Sequence, residues 1–249
     1  MKEIINKIKE KKPLDRLDDD YVKEFIGLFL KKDPKLNKKL LNNELKKKDF
    51  EKIVKNVRNE LNKTYGQFWL DNNLDLNSHR STKEREKFYS DFYKKIFNVT
   101  GKVNSILDLG AGLNPLTYKY INDYKNVYFY SIELTKKDCE QIKSVFGKDK
   151  IKGEIIQADL RVYNKFPKVD LCLMLKLVES LETNGHKLAE YLINSIKAKF
   201  IVVSFSTVDV KGRRMNYPRR GWIEKLLERL DLYYEIFEEH NEIFYVIKK

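Results

Sequence analysis

The sequence is poor in the residues that build disulfide scaffolds and metal sites. Its 249 residues include two cysteines, Cys139 and Cys172, and three histidines, with no C-x-x-C pair. This usage argues against a disulfide framework or a zinc site and is typical of a reducing cytoplasm. We therefore expect no bound metal, and we expect both cysteines to fill apolar space.

Long apolar runs are also lacking. No segment approaches the roughly 20 uninterrupted apolar residues that a membrane-spanning helix needs, and the stretch MKEIINKIKEKKPLDRLDDD carries a charge every few residues, unlike a signal peptide. The apolar fraction of 42% is still enough for a sizeable core. These features predict a globular cytoplasmic protein without a membrane partner.

Acidic residues are the minority among the charges. The 37 Asp and Glu stand against 50 Lys and Arg, a formal net charge of +13. Clustered Lys and Arg release counterions from a phosphate backbone, so this balance favours a polyanionic partner; a lysine-rich solvated surface is the alternative. The densest run has eight lysines between Lys31 and Lys48, against Asp33 and Glu44, and is either a solvated face or a surface that follows phosphates.

The hydrophobic pattern changes along the chain. Up to about Asn77, apolar residues recur at helical spacing, as in DDDYVKEFIGLFLKK and DFEKIVKNVRNELNKTYGQFW. Beyond Lys102, short apolar runs alternate with polar helical segments, and the tail adds two extended runs around Asn241. The seven runs are SILDLG, VYFYSIEL, GEIIQADL, VDLCLML, FIVVSFS, YYEIFEEH and EIFYVIKK. We predict an all-helical N-terminal domain followed by an α/β sheet that a C-terminal antiparallel hairpin completes.

A glycine turn follows the first predicted strand, in DLGAGLNP. Gly110 and Gly112 permit a tight turn and close approach of a ligand, and the helix that follows would present its amides. The third glycine of the G-x-G-x-x-G dinucleotide motif is absent, since Asn114 and Pro115 stand near its place. A nicotinamide dinucleotide site is therefore the weaker interpretation, and the nucleoside-binding half of an S-adenosylmethionine (SAM) methyltransferase is the stronger one.

Acidic residues lie at the ends of neighbouring strands. Asp108 lies within the first strand, Glu133 ends the second and Asp159 ends the third. Ligands bind outside the carboxyl ends of the strands in an open parallel sheet. We therefore expect Glu133 to accept hydrogen bonds from ribose hydroxyls and Asp159 to flank adenine, with Leu160 packed on the ring.

A basic segment, KGRRMNYPRR, follows the fifth strand. It carries five basic residues and no acid, and its predicted RNA-binding cations are Lys211, Arg213, Arg214, Arg219 and Arg220. Arginines of this kind contact phosphates and guanine edges, and Tyr217 or Met215 could stack on a base. The alternative is an exposed charged loop without a partner.

The sequence also restricts which atom of a nucleotide base can accept the methyl group. Methylation of an exocyclic amino group usually uses a [DN]PP[YF] loop after the fourth strand, where this chain reads MLKLVESLE. Pyrimidine C5 methylation needs a cysteine nucleophile, and neither cysteine is expected to act as one. A guanine N7 acceptor needs neither device, because its lone pair is already nucleophilic and alignment of the reacting groups supplies most of the catalysis.

Four blocks resemble, in the same order, the aminoglycoside-resistance 16S rRNA guanine-N7 methyltransferases, the FmrO-like or Arm family: HRSTKER, SILDLGAGLNPL, LMLKLVESLE and VVSFSTVDVKGRRMNY. The N-terminal helices and the closing NEIFYVIKK also look like that family's ends, so the resemblance covers most of the chain; a housekeeping or archaeal-type relative would share it. Three departures stand out: Ala111 where relatives can carry Cys, Glu133 instead of the commoner Asp, and Glu179 near the place of a usual proline.

The resemblance implies roles for individual residues. Arg85 would pair with the SAM carboxylate, a task that suits its bidentate fork. His79, Ser81 and Thr82 would either cap the helix that carries Arg85 or order the amino-acid end of the cofactor, and capping is the stronger interpretation for the two hydroxyls. Lys176 and Glu182 match positions close to the cofactor and the target base, and are the predicted catalytic residues. The resemblance further matches Met215 and Asn216 to the loop that contacts the flipped nucleotide.

We therefore predict a SAM-dependent RNA methyltransferase that acts on guanine N7 of structured RNA, with small-subunit (16S-type) rRNA or the 30S subunit as the expected partner. The expected domains are a helical RNA-docking domain (1–77), a connecting helical segment that contributes to the cofactor site (78–99) and a Rossmann-like methyltransferase domain (100–249), acting as a monomer. The alternatives are a tRNA guanine-N7 methyltransferase, a small-molecule methyltransferase and a non-catalytic RNA-binding protein that retains the fold. The predicted cofactor-binding residues are Arg85, Asp108, Gly110, Gly112, Asn114, Glu133, Asp159, Leu160 and Leu175.

Overall fold

The computed structural model describes residues 1–71, 73–182, 185–209 and 212–249. The chain divides into two compact units, Met1–Asn73 and Leu74–Lys249. The domain boundaries and domain roles expected from the sequence stay predictions.

Helices build the first unit. They are α1 (Lys2–Lys9), α2 (Asp19–Lys31), α3 (Pro34–Leu41) and α4 (Lys47–Thr64), with 3₁₀ turns at Leu14–Arg16 and Gly66–Phe68. The apolar residues at helical spacing are buried, among them Val22 and Ile26 of α2 and Val57 and Leu61 of α4, and these two helices pack on one another. The amphipathic pattern therefore produces the core of this unit.

A seven-stranded mixed sheet forms the centre of the second unit. Its strands are β1 (Ser105–Leu109), β2 (Tyr128–Glu133), β3 (Lys152–Gln157), β4 (Val169–Leu175), β5 (Ala198–Ser206), β6 (Tyr233–Glu239) and β7 (Glu242–Lys248), in the spatial order β3-β2-β1-β4-β5-β7-β6. The first five are parallel, and β7 lies antiparallel between β5 and β6. The expected parallel sheet with a C-terminal antiparallel hairpin is confirmed.

Helices cover both faces of the sheet. They are α5 (Arg80–Arg85), α6 (Tyr89–Thr100), α7 (Lys136–Asp149), α8 (Val178–Leu181), α9 (Lys187–Ser195) and α10 (Gly221–Arg229), with 3₁₀ turns at Leu76–Ser78, Asn114–Tyr120 and Tyr124–Asn126. Two apolar clusters result, one containing Leu107 and Val203 and the other containing Ile106 and Val202. Because alternate residues of β1 and β5 enter opposite clusters, these strands are buried on both sides, which explains their nearly continuous apolar runs.

The segment after the glycine turn differs from the expected helix. It is the 3₁₀ turn Asn114–Tyr120, with Pro115 in its first turn. The Thr117 hydroxyl donates to the Asn114 carbonyl at 2.7 Å, which satisfies an acceptor that an α-helical amide would otherwise take. The glycine turn is thus followed by a tighter, side-chain-braced segment.

The hydroxyl caps predicted for α5 are also wrong. His79 is the N-cap residue, and its side chain makes no capping hydrogen bond. The Thr82 hydroxyl instead donates to the carbonyls of Leu76 and His79, at 2.9 and 2.8 Å. A hydroxyl inside the first turn reaches preceding carbonyls more readily than free amides.

None of the helices formed by the described residues is both long and apolar enough to cross a bilayer. Those same residues contain no group of three or more His, Cys, Asp and Glu side chains arranged to hold a metal ion.

Candidate functional site

The candidate site lies at the carboxyl ends of β1 to β4. Strand order reverses between β1 and β4, because β2 lies on one side of β1 and β4 on the other. Ligands of open α/β sheets bind in the crevice at such a reversal. The glycine turn after β1 occupies this position, with Gly110 and Gly112 at φ +61° and +53°.

Backbone conformation favours glycine at both positions, and neighbouring side chains crowd the space that a Cβ would take. A Cβ on Gly110 would lie 2.6 Å from Leu177 Cδ1, and one on Gly112 would lie 2.9 Å from the His79 imidazole. Residues with a side chain rarely adopt these positive φ angles. Sequence reasoning did not assign the imidazole to this turn, although His79 opens the HRSTKER block.

The buried carboxylate of Asp108 stabilises the glycine turn through hydrogen bonds to the segment that follows it. Asp108 Oδ2 accepts from Asn114 Nδ2 at 2.7 Å and from the Tyr118 hydroxyl at 2.8 Å. Burial raises the pKa of Asp108 to about 6, against the lowering effect of these two hydrogen bonds. Asp108 and Asn114, both predicted to bind cofactor, are therefore in contact with each other and fix the shape of the turn.

Glu133 ends β2 beside the same turn. Its Oε1 accepts from the Gly112 backbone N–H at 2.6 Å and its Oε2 from the Leu134 N–H at 2.9 Å. Burial, and then repulsion by Asp138, raise the pKa of Glu133 to about 8. In the ionised form each oxygen keeps a second lone pair, so the carboxylate can then accept one further hydrogen bond per oxygen. Two vicinal ribose hydroxyls need this pair of acceptors, and the site therefore fits the ribose of a nucleoside cofactor.

The third acid, Asp159, follows β3 next to Glu133. The Ala158 N–H donates to the Glu133 carbonyl at 2.9 Å, which sets the two strand ends side by side. Arg161 binds the Asp159 carboxylate through its Nε at 3.0 Å. The predicted apolar neighbours are in the interior: Leu160 belongs to one core cluster and Leu175, at the end of β4, to the other.

Arg85 and Glu242 form a buried ion pair. Arg85 Nε donates to Glu242 Oε2 and Nη2 to Oε1, both at 2.9 Å. Burial raises the pKa of Glu242, but attraction by Arg85 and Lys176 outweighs this effect and holds the pKa below its usual value. No sequence pattern indicates Glu242 as a partner, and the predicted contact of Arg85 with a cofactor carboxylate stays a prediction.

The predicted catalytic residues have partners within the chain. The Lys176 ammonium binds Glu84 and lies 3.5 Å from Glu242, on a backbone at φ +53°. Glu182 Oε2 accepts from the N–H groups of Leu188 at 3.0 Å and Ala189 at 3.2 Å. Glu182 thus satisfies free amides at the start of α9, and the catalytic roles of both residues stay predictions.

The arginines of the basic segment are ion-paired, Arg213 with an acid of the same loop and the other three with acids of neighbouring elements. The pairs are Arg213 with Asp209, Arg214 with Glu238, Arg219 with Glu224 and Arg220 with Glu179. The first three side chains are at least 60% exposed, whereas that of Arg220 is 11% exposed. Arg220 also donates to the carbonyls of Pro218 and Ser206, at 2.7 and 2.9 Å, which is typical of a structural arginine.

Other predicted contacts of this segment differ in exposure. Tyr217 is 87% exposed, Asn216 is exposed and Met215 is half-buried, with the Met215 N–H bonded to the Thr207 carbonyl at 2.8 Å. The prediction for Lys211 lies outside the described residues. RNA binding by this segment stays a prediction.

Both cysteines are poorly suited to nucleophilic attack. Burial raises the pKa of Cys139 to about 12 and that of Cys172 well above its usual value. Since the thiolate is the reactive form, neither side chain supplies a nucleophile at neutral pH.

Comparison with known proteins gives a consistent family. A family model described as ribosomal RNA methyltransferase (FmrO) matches residues 72–231. The 16S rRNA (guanine(1405)-N(7))-methyltransferase of Proteus mirabilis is 31% identical over 140 residues, which are 55% of this chain and 50% of that protein. The enzyme of the same name from Micromonospora rosea is 25% identical over 178 residues, 70% of this chain and 64% of that protein. The chain thus matches between half and two-thirds of the length of these relatives.

Solved structures share the fold over the whole chain. The 16S rRNA methyltransferase RmtF, crystallised with S-adenosyl-L-homocysteine, has a TM-score of 0.76 at 19% identity, covering 100% of this chain and 97% of that one. The 16S rRNA methylase RmtB has a TM-score of 0.69 at 20% identity, covering 100% and 98%. The α/β methyltransferase architecture predicted from the sequence is confirmed.

Proposed function

This chain belongs to the ribosomal RNA methyltransferase (FmrO) family, and we propose that it transfers the methyl group of SAM to N7 of a guanine in 16S-type ribosomal RNA. The family model covers residues 72–231, which include the glycine turn and all three acids of the candidate site. The names of the relatives specify guanine N7 of 16S rRNA, and we propose the same acceptor atom and RNA for this chain.

The observation that carries the proposal is the hydrogen bond between the Gly112 backbone N–H and the Glu133 carboxylate. The backbone N–H holds the carboxylate at 2.6 Å while a second lone pair on each oxygen stays able to accept a ribose hydroxyl. The small glycine turn beside it permits close approach of a ligand to the backbone. The residues present therefore fit the nucleoside of SAM, with Asp159 at the neighbouring strand end for the adenine.

Arg85 would hold the amino-acid end of SAM. Its Nε–Nη2 edge is bound by Glu242, and a guanidinium has further donors on its Nη1–Nη2 edge. That second edge suits a carboxylate, because parallel N–H donors match two carboxylate oxygens. Glu242 and Lys176 would keep the local charge balanced while Arg85 binds this second anion.

When bound, SAM supplies a methyl group on a positively charged sulfur that a lone pair can attack. Guanine N7 carries such a lone pair and no proton, so the chain needs no general base and no covalent nucleophile there. The raised pKa values of Cys139 and Cys172 agree with that requirement. The main task of the protein is then to hold the acceptor in line with the reacting centre, the positioning term that supplies several kcal/mol. Lys176 and Glu182, close to the end of β4, would shape the acceptor side.

Two cationic surfaces support an RNA substrate. In the first unit, Lys7, Lys11, Lys55 and Arg58 line a groove in which Glu51 is the one acid. In the second unit, the exposed arginines of the basic segment can exchange their carboxylate partners for phosphates, which bind guanidinium in the same geometry. Because ribosomal subunits are the expected substrate, we expect the chain to act in the cytoplasm.

The test is transfer of tritiated methyl groups from SAM to purified 30S subunits, naked 16S rRNA and tRNA, followed by digestion to nucleosides. We expect 7-methylguanosine in 16S rRNA and loss of the label with Glu133→Gln. The matched control is Glu154→Gln, an exposed acid on β3 that contacts the Tyr128 hydroxyl at 3.2 Å. Label in tRNA, or in any nucleoside other than 7-methylguanosine, would contradict the proposed substrate or the proposed atom.

A further inference from the structure

The Asp159 carboxylate is held by Arg161, an arginine two residues further along the chain. Asp159 lies two residues beyond Gln157, which pairs with Glu133 in the β2–β3 ladder. Neighbouring strands are about 4.8 Å apart, a distance comparable to that between the ribose and the base of a nucleoside. An acid in this position faces the base when Glu133 binds the ribose.

Two kinds of donor from one residue fix this carboxylate. The Arg161 backbone N–H donates to Oδ1 at 3.0 Å, which closes an Asx turn. The Arg161 guanidinium reaches back over the same turn, with Nε at 3.0 Å from both oxygens and Nη2 at 2.5 Å from Oδ2. The two side chains are only 17% and 21% exposed. A planar guanidinium in this arrangement restricts rotation of the carboxylate about its own bond.

We infer that Arg161 is a positioning residue that fixes the Asp159 carboxylate as the acceptor for the exocyclic amino group of adenine. The inference rests on the proposed function, since it assumes that a SAM-type nucleoside binds here. Three N–H groups of Arg161 donate to the carboxylate, and the Nε–H is shared between both oxygens. A carboxylate has about four lone-pair sites, so three donors leave room for a fourth. That fourth site matches the single N–H that an adenine amino group directs at its partner.

The chemical consequence is selection of the base. An ionised carboxylate accepts hydrogen bonds and cannot donate them. It therefore attracts the amino group of adenine and repels the carbonyl oxygen that hypoxanthine carries at the same position. Discrimination of this kind depends on the repulsive contact with the wrong ligand as much as on the attraction of the right one, and a rotating carboxylate would relieve the repulsion.

The backbone of this turn does not depend on the guanidinium. The Asp159 carbonyl accepts from the N–H groups of Val162 at 3.1 Å and Tyr163 at 2.9 Å, and the Asx bond uses the Arg161 main chain. Replacing the Arg161 side chain should therefore free the carboxylate and leave the turn in place. The preference for one base over the other, measured as a ratio of dissociation constants, therefore reports on the carboxylate more directly than the affinity for a single ligand does.

The experiment measures the dissociation constants of S-adenosylhomocysteine and S-inosylhomocysteine by calorimetry on the full chain. These ligands differ in the group at C6 of the base, amino against carbonyl, and in the proton that hypoxanthine carries on the adjacent N1. We expect the wild-type chain to prefer the adenosyl compound and Arg161→Met to lower the preference ratio at least about fivefold, since one buried polar contact is worth about this factor. Arg161→Lys, which keeps the charge but loses the fork, should fall between the two.

The matched control is Arg229→Met. Arg229 of α10 makes a more exposed pair with Glu190 at 2.6 Å, and its loss should leave both dissociation constants unchanged. Equal weakening of both ligands by Arg161→Met, with the ratio unchanged, would overturn the inference and leave Arg161 a structural residue. A wild-type chain without base preference would overturn it as well. A wild-type chain that binds neither ligand would instead contradict the proposed function itself.

Discussion

The guanidinium of Arg85 and the carboxylate of Glu242 are joined at two points across 157 residues of sequence, with both contacts at 2.9 Å. Their side chains are 2% and 0% exposed, so the pair is buried in the second unit. The Ser204 hydroxyl donates to the same carboxylate, and the Lys176 ammonium lies nearby. α5, β4, β5 and β7 therefore meet at one acid, directly beside the candidate cofactor site.

Glu242→Gln should destabilise the fold strongly. A buried ion pair that loses one partner leaves the other charge without compensation, at a cost of about 3–5 kcal/mol. Urea denaturation should show this loss, whereas Glu190→Gln, which breaks the exposed pair with Arg229, should cost less than about 1 kcal/mol. Equal losses in the two variants would mean that the buried pair is not a main support of the fold.

The structural and binding roles of Arg85 can be separated with a double variant. Replacing a buried ion pair with apolar side chains of similar volume is often nearly neutral, so Arg85→Met with Glu242→Met should recover most of the stability that either single change loses. The double variant should still bind 5′-methylthioadenosine, which lacks the amino-acid end, but bind S-adenosylhomocysteine much more weakly. Undiminished affinity for S-adenosylhomocysteine in a folded double variant would exclude Arg85 as the carboxylate ligand.

Gly112→Ala should damage the site through both conformation and space. The φ of +53° costs a residue with a side chain about 1–3 kcal/mol, and the new Cβ would lie 2.9 Å from the His79 imidazole. We expect lower stability and weaker S-adenosylhomocysteine binding, since the Gly112 N–H also orients Glu133. Gly147→Ala in α7 is the control: its Cβ would meet nothing within 4 Å, and alanine favours a helix over glycine by about 1 kcal/mol. Similar effects of the two changes would argue against a special role of the turn.

The strands and the glycine turn were predictable because their signals are local. Short apolar runs located all seven strands to within three residues at either end, and the glycines at the end of β1 marked the edge of the candidate site. The buried partners could not be predicted in the same way. Nothing in the sequence near Glu242 indicates that Arg85, 157 positions earlier, will meet it, because such a pairing depends on the order of strands in the sheet.

The charge of the basic segment shows a second limit. The sequence shows that this segment has five basic residues and no acidic one. It does not show that three of its arginines pair with Glu179, Glu224 and Glu238, which belong to other elements. A count of charges therefore overstates the free positive charge of this loop. Arg220 illustrates the error, since its side chain is buried among carbonyls and a carboxylate and does not lie on an open surface.

Stability should fall as the pH rises through the neutral range, and Glu133 should account for part of the slope. Burial raises the pKa of this carboxyl in the folded chain to about 8, against about 4.3 in an unfolded chain. Between these values the folded state binds one more proton, so the free energy of unfolding declines by up to about 1.4 kcal/mol per pH unit. Glu133→Gln should flatten the profile measured by urea unfolding between pH 5 and 8, while Glu154→Gln should not. An unchanged slope in Glu133→Gln would show that this carboxyl is already ionised there.

The basic segment should contribute to RNA affinity through its exposed arginines, and to stability through Arg220. Arg213 and Arg214 can exchange Asp209 and Glu238 for phosphates. Replacing both arginines with Gln should therefore weaken binding to 30S subunits and reduce the slope of log affinity against log salt by about 1 for each lost phosphate contact.

Arg220→Gln should leave that slope nearly unchanged and lower the midpoint of urea unfolding, because the Arg220 guanidinium binds Glu179 and the carbonyls of Pro218 and Ser206. Filter binding over a series of salt concentrations distinguishes the two effects. A slope that does not move with Arg213 and Arg214 replaced would mean that their carboxylate partners hold them throughout, and that the lysines of the first unit carry the contacts with the RNA backbone.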